Sequence, residues 1–289
     1  MNFEFPHWLI SMLIAMSLLQ TFPAFAQEDS FQSSGRSSEQ IIRPFSGETK
    51  SRGIEGLTVG YEFGYFNYKE SGLMQDFGAM SGVRVSDTIL VSQSPLVLTA
   101  EGDLLYGSLT YDGQTWQGAA ISDSMVDYEA NFRGLLGVSF GGRNVALVPY
   151  AGLGLRYLND NGNSAGSYER EVGYLYLPVG VRFRFEKSAR VRFGISAEFD
   201  QLLLGKVKSF LSETNPNNPD VVNTQTSGDG FRVAVSMDYQ FVGMGVRIEP
   251  YWQHWSIGNS DSQFIDATHS GMEPANISDQ LGFSIQIEI

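Results

Sequence analysis

His254-Trp255-Ser256 places an imidazole and a hydroxyl two residues apart. Alternate residues of a strand share a face, so His254 and Ser256 could work together as general base and nucleophile. Such a pair needs a third group to orient the imidazole, and Glu273 stands in a different loop context. The same residues also read as a histidine in an aromatic girdle. The histidines His254 and His269 lack matching acidic partners. No Asp-x-His occurs, and no Asp-x-Asp falls in a loop, so acid–base pairing of that kind has no candidate. NDNGN (159–163) and SETNPNNPD (212–220) are rich in oxygen but lack the spaced carboxylates of a calcium loop. They read as solvated turns. No catalytic constellation, metal or cofactor is expected.

A larger set of charges has a regular placement. Arg84, Arg133, Arg156, Arg182, Arg184, Arg190, Arg192, Arg232 and Arg247 alternate with apolar neighbours. So do Glu62, Glu101, Asp103, Asp127, Glu129, Glu198, Asp200, Asp238 and Glu249. In LYLPVGVRFRFE (175–186), Leu175, Leu177, Val179, Val181, Phe183 and Phe185 share one parity, and Arg182, Arg184 and Glu186 the other. A strand with this pattern has an oily face and a charged face. The oily parity is free of charge through the strand middles; Asp87, His254 and Asp279 break it only at strand ends. A charge facing lipid at mid-membrane costs about 2–4 kcal/mol for Arg or Lys, so this exclusion is what a lipid-facing surface requires.

The elements that carry these residues are ten period-2 segments. They lie at about 56–68, 77–88, 96–109, 125–140, 145–158, 173–186, 190–203, 231–241, 246–255 and 277–289. The connections 141–144, 186–189 and 242–245 are short; 110–124, 159–172, 205–229 and 259–276 are long and polar. Such sorting points to a closed antiparallel up-and-down transmembrane β-barrel of about ten strands. A Greek-key sandwich would not sort its loops this way. Pro149, Pro178 and Pro250 fall inside strands, where each removes a ladder donor and suggests a bulge or an end of pairing. Charge sets one register. Asp200 beside Gly230 puts Glu198 opposite Arg232 and Arg192 opposite Asp238, which pairs opposite signs twice.

The chain has 289 residues, 42% of them hydrophobic, with a formal net charge of −13. That balance argues against nucleic-acid binding, which needs a basic surface. The absence of cysteine excludes disulfides, thiolate metal sites and a lipid-modified N-terminal cysteine. LISMLIAMSLL (9–19) followed by Ala24-x-Ala26 reads as a signal peptide over 1–26, although MNFEFPHW before it has no Lys or Arg. Residues 27–54 are polar and Ser-rich and read as a flexible periplasmic lead-in. The barrel is expected over 55–289, in the bacterial outer membrane.

YKESGLMQDFGAMSGV (68–83), LTYDG (109–113), PYAGLGLRYLND (149–160), EREVGYLYLPVGV (169–181), AEFDQLLLGKVKS (197–209) and PYWQHWSIGNSD (250–261) resemble a family of uncharacterised proteobacterial outer-membrane β-barrel proteins. The resemblance covers most of 56–289 and implies location and fold, with no activity. The last residue is Ile289, where many such barrels end in Phe or Trp. Aqueous channels need about 16–18 strands, so a ten-strand lumen lined by nearly balanced charge is expected to close on its own ion pairs. The expected function is structural or interaction-based. The alternative is a small passive pore, lined at the periplasmic end by Arg182, Arg184, Arg190 and Arg192. The third reading is an enzyme, resembling either omptin-like proteases or the lipid A deacylases, whose His-x-Ser on a lipid-facing strand is similar to His254-Trp255-Ser256. Expected partners are outer-membrane lipid, lipopolysaccharide bridged by divalent cations to acidic loops, and the barrel-assembly machinery.

Overall fold

The computed structural model describes residues 56–114, 118–142, 144–162, 167–265 and 268–289. The expected signal peptide, the lead-in and residue 55 lie outside the described residues. Ten long strands form the fold: β1 (Gly56–Glu70), β2 (Met74–Leu90), β3 (Leu96–Gln114), β4 (Ala120–Val138), β5 (Val145–Gly162), β6 (Arg170–Ser188), β7 (Val191–Ser209), β8 (Gly228–Phe241), β9 (Met244–Ile257) and β10 (Asn276–Glu288). Each pairs antiparallel with the next, and β10 pairs with β1 from Asn276↔Glu70 to Glu288↔Thr58. The sheet therefore closes and leaves no free barrel edge.

All ten segments expected from periodicity are strands. They run further than expected at one end. Residues 110–114 and 120–124, read as loop, continue the β3–β4 ladder to Gln114↔Ala120. Their side chains are polar, so periodicity fades, but paired backbone groups keep the ladder going. β2–β3, β4–β5, β6–β7 and β8–β9 connect at the end where β1 starts, and β1–β2, β3–β4, β5–β6, β7–β8 and β9–β10 at the other. Gly142 and Asn161 are thus at opposite ends, as their loop lengths require. Gly243 takes φ 83° in the two-residue turn before β9, a left-handed conformation that suits glycine.

At the long-loop end, Val221–Gln225 extends the sheet by pairing with Gly205–Ser209 of β7. There Ser212 Oγ donates to Asp220 at 2.7 Å, and that hydrogen bond holds the Asp220 carboxyl below its usual range. Gln263–Phe264 and Ser270–Gly271 form a two-residue hairpin ladder.

The prolines interrupt the ladders gently. Pairing of β4 with β5 stops at Tyr150, beside Pro149, and the β8–β9 ladder skips between Ala234 and Met237, facing Pro250. The β5–β6 ladder skips between Ala151 and Gly154, opposite Pro178. Register shifts fall elsewhere, in the β6–β7 ladder at Leu175/Tyr176 and at Glu186/Ser188. Leu203 is the extra residue between Leu202↔Tyr176 and Leu204↔Leu175, so Leu203 and Leu204 both face outward.

The odd or even outward parity makes an apolar belt around the wall. Leu153 is 57% exposed, Ile195 53% and Leu281 66%. Soluble monomers rarely expose contiguous apolar patches above a few hundred Å². A belt running round a closed barrel needs an apolar solvent.

Candidate functional sites in the lumen and on the outer face

The inward parity meets in the lumen. Glu101 of β3 receives three arginines: Arg84 at 3.1 Å, Arg133 at 2.6 Å and Arg182 at 3.0 Å. Arg133 also pairs with Glu198, and Arg84 with Glu62 at 3.4 Å. Glu249 of β9 joins Arg84 at 3.6 Å to Arg232 at 3.3 Å. Asn131 donates to Asp103 at 2.8 Å. These groups come from eight strands and tie across the bore. The space left among Arg84, Glu101, Asp103, Arg133, Tyr176 and Arg232 is about 20 Å³, room for about one water.

Towards the long-loop end the lumen becomes apolar. Phe66, Leu105, Leu158, Tyr174, Tyr176 and Trp255 belong to one buried cluster. Trp255 meets Tyr176 edge-on at 5.0 Å between ring centroids. A Cβ on Gly230 would come within 2.8 Å of the Trp255 ring, so the glycine makes room for the indole. Arg156 lies 5.8 Å from both Trp255 and Phe66 and pairs with Glu129 at 2.8 Å. Above it, Arg170 binds Glu70 and Asp160, each at 2.8 Å, and Glu273 of the last long loop at 3.5 Å. Ser209 donates to Glu273 at 3.0 Å, so this loop is tied into the mouth of the barrel.

Most of the expected lumen charges are therefore brought together. At the short-turn end Arg247 pairs with Asp238 at 2.8 Å and Arg192 with Glu186 at 3.9 Å. Asp127 and Asp200 are buried in the lumen beside further carboxylates: Asp127 lies opposite Asp160, and Asp200 is two residues from Glu198 on the same face. Arg184 faces inward without an ion pair among the described residues, half-buried. Arg190 is a correction. It stands in the two-residue turn between β6 and β7, exposed, because the chain reverses there before the ladder resumes at Val191. Glu70, Asp160, Arg170 and Glu273 lie outside the ten segments expected from periodicity, yet they join the lumen. The sequence reading missed the apolar half of the lumen, although Phe66, Tyr174, Tyr176 and Trp255 all sit on the inward parity.

A second arrangement lies on the outer face, at the upper edge of the belt. His254 of β9 and Asp279 of β10 are direct cross-strand partners. His254 Nδ1 lies 2.9 Å from Asp279 Oδ1, and Trp252 Nε1 donates to the same oxygen at 3.2 Å. The Trp252 and His254 rings stack at 5.8 Å. A carboxylate accepts, so Nδ1 carries the proton, and in the neutral imidazole Nε2 is left with the lone pair. The expectation that His254 lacks an acidic partner is thus corrected. Both residues break the oily parity near strand ends, and closure of β9 against β10 puts those two breaks side by side.

No protein-family model and no curated protein sequence matches the chain. Among solved structures, the outer membrane protease OmpT from Escherichia coli is similar at 10% identity with a TM-score of 0.53, covering 85% of this chain and 99% of that one. The transport unit of the autotransporter AIDA-I from Escherichia coli is 8% identical with a TM-score of 0.45, covering 84% of this chain and 93% of that one. The translocator domain of the autotransporter NalP from Neisseria meningitidis is 11% identical with a TM-score of 0.43, covering 81% and 89%. At such identity, the match to OmpT is a likeness of fold: a ten-strand closed barrel.

Proposed function

We propose that this chain is a bacterial outer-membrane β-barrel whose lumen is closed by its own side chains, acting as a structural or interaction protein rather than as a channel. The observation that carries the reading is the filled bore: the arginine network on Glu101 and Glu249, with the Trp255 cluster above it. The uninterrupted apolar belt supports membrane insertion, since the outward parity excludes charge from strand middles. The OmpT structure bears an outer-membrane name, and the same location is proposed here. The short turns and the strand ends Gly56 and Glu288 face the periplasm, and the long loops face outward. Residues 1–26 are cleaved during export. Acidic groups at the long-loop end, among them Asp112, Asp123, Glu169, Glu171, Glu213, Asp220, Asp229 and Asp261, meet lipopolysaccharide phosphates through divalent cations; Asp266, of the same set, lies outside the described residues.

Purified protein in planar lipid bilayers tests the central claim. Membranes should stay at baseline conductance with the protein inserted. Discrete, reproducible conductance steps would replace this reading with that of a narrow pore. The Arg182–Glu101 and Arg192–Glu186 pairs favour closure at the end where such a pore would have its arginines.

A further inference from the structure

With the lumen filled, chemistry is left to the outer face. We propose that Ser256, His254 and Asp279 form an esterase site that cleaves fatty acyl esters of lipids in the surrounding leaflet.

The geometry begins with Asp279. Its carboxylate fixes the His254 ring by accepting the Nδ1–H at 2.9 Å, and Trp252 holds both the carboxylate and the ring face. Nε2 is thereby left as the basic nitrogen. Ser256 follows two residues on, on the same face of β9, at about 6.6–6.8 Å between Cα atoms for two strand residues. Nε2 of His254 and Oγ of Ser256 have no hydrogen-bond partner among the described residues. Base, orienter and nucleophile therefore stand together, with the base–nucleophile bond still to form. Such bonds are often long without substrate and tighten in the complex. His254 is 29% exposed and Asp279 43%, so the site opens to the surroundings.

Position selects the substrate. One step down the barrel, Trp252, Val233 and Leu281 begin the apolar belt; one step up, Ser256 is the register partner of Asp229. The site thus sits where hydrocarbon gives way to polar groups, the level at which Trp and Tyr collect in membrane barrels. Ester bonds of membrane lipids lie at that same level, between acyl chain and headgroup. An acyl chain laid along Phe231, Trp252 and Leu281 would bring its ester to Ser256.

The step balances with water as the only co-reactant. Ser256 Oγ attacks the ester carbonyl as Nε2 takes its proton, forming the Oγ–acyl bond. The C–O bond to the lipid alcohol breaks, and that alcohol leaves with the proton from Nε2. Water, deprotonated by the same nitrogen, then cleaves the acyl-serine, releasing a fatty acid and restoring Ser256. Asp279 is a positioning residue, because it acts through His254.

This inference rests on the membrane placement above, so the assay includes a substrate that needs no bilayer. The full chain in detergent micelles is given a p-nitrophenyl acyl ester and, separately, a fluorophosphonate probe. In proteoliposomes it is given diacyl phospholipid in one arm and lipopolysaccharide in another, with fatty acid release read by mass spectrometry. The probe should label Ser256, and labelling should vanish in Ser256→Ala. Ester turnover should fall about 10²-fold or more in His254→Ala, the scale of a lost general base. Asp279→Asn should fall similarly, while Asp279→Glu should recover much of the rate; a merely structural aspartate would not discriminate in this way. Release in one lipid arm alone identifies the source of the acyl ester. Micellar turnover with no release from either lipid would overturn the lipid substrate. No labelling of Ser256 and no turnover in a chain that keeps its heat-resistant folded mobility would overturn the site. Conductance is unaffected by any of these outcomes, so failure here is separable from failure of the closed-barrel reading.

Discussion

Arg192 and Asp238 face each other across the β7–β8 ladder, yet Asp238 gives its carboxylate to Arg247, at 2.8 and 3.4 Å. Asp200↔Gly230 and Glu198↔Arg232 fall in the same ladder, so charge complementarity located the register. The ion pairs reach further than the ladder. Glu198 likewise reaches past Arg232 to Arg133 of β4, and Arg232 turns to Glu249. In a narrow bore a long side chain finds partners across the lumen as easily as beside it. Double-mutant cycles should therefore give a larger coupling for Asp238→Ala with Arg247→Ala than for Asp238→Ala with Arg192→Ala. Close pairs couple by about 0.5–3 kcal/mol. Urea unfolding in lipid vesicles measures both, and equal couplings would refute the assignment.

Glu101 is the residue whose loss should cost most among the lumen carboxylates. Three arginines meet on it, Arg182 with no other ion pair among the described residues, and removing one partner of a buried pair costs about 3–5 kcal/mol. Glu101→Ala should destabilise by at least that, and more than Glu249→Ala. A shift under about 1 kcal/mol in the same unfolding assay would mean that water already solvates the cluster.

The orientation can be read with single cysteines, since the chain has none of its own. Asn217→Cys lies at the long-loop end and Val242→Cys in the turn before β9. A membrane-impermeant maleimide added to intact cells should label the first and not the second. The reverse pattern would invert the barrel.

Association with lipopolysaccharide should depend on divalent cations. The long-loop end carries many acids and few bases, and phosphate would be repelled from it without an intervening cation. EDTA should release lipopolysaccharide from the purified protein, and added magnesium should restore it. Association unchanged by chelation would end the bridging idea.

Much of this protein is legible without coordinates. A strand's side chains alternate strictly, so each segment declares its two faces, and ten such segments joined by loops of alternating length leave little choice but an up-and-down barrel. The inward set, from Arg84 to Glu249, follows from the same parity. Arg190 was misjudged because parity does not say where a ladder pauses to turn. Phe66, Tyr174, Tyr176 and Trp255 sit on inward positions in plain view, but their apolar character suggested no role until closure gathered them into one plug. Contacts between distant strands were beyond reach for a related reason. Arg133 meets Glu198 across 65 positions of sequence, and only the tilt and closure of the sheet bring β4 and β7 within a side chain's length. His254 and Asp279 show the division most sharply. Parity alone places each outward near a strand end. Only the β9–β10 register decided that they touch, because a slip of one residue in that ladder would turn one of them into the lumen.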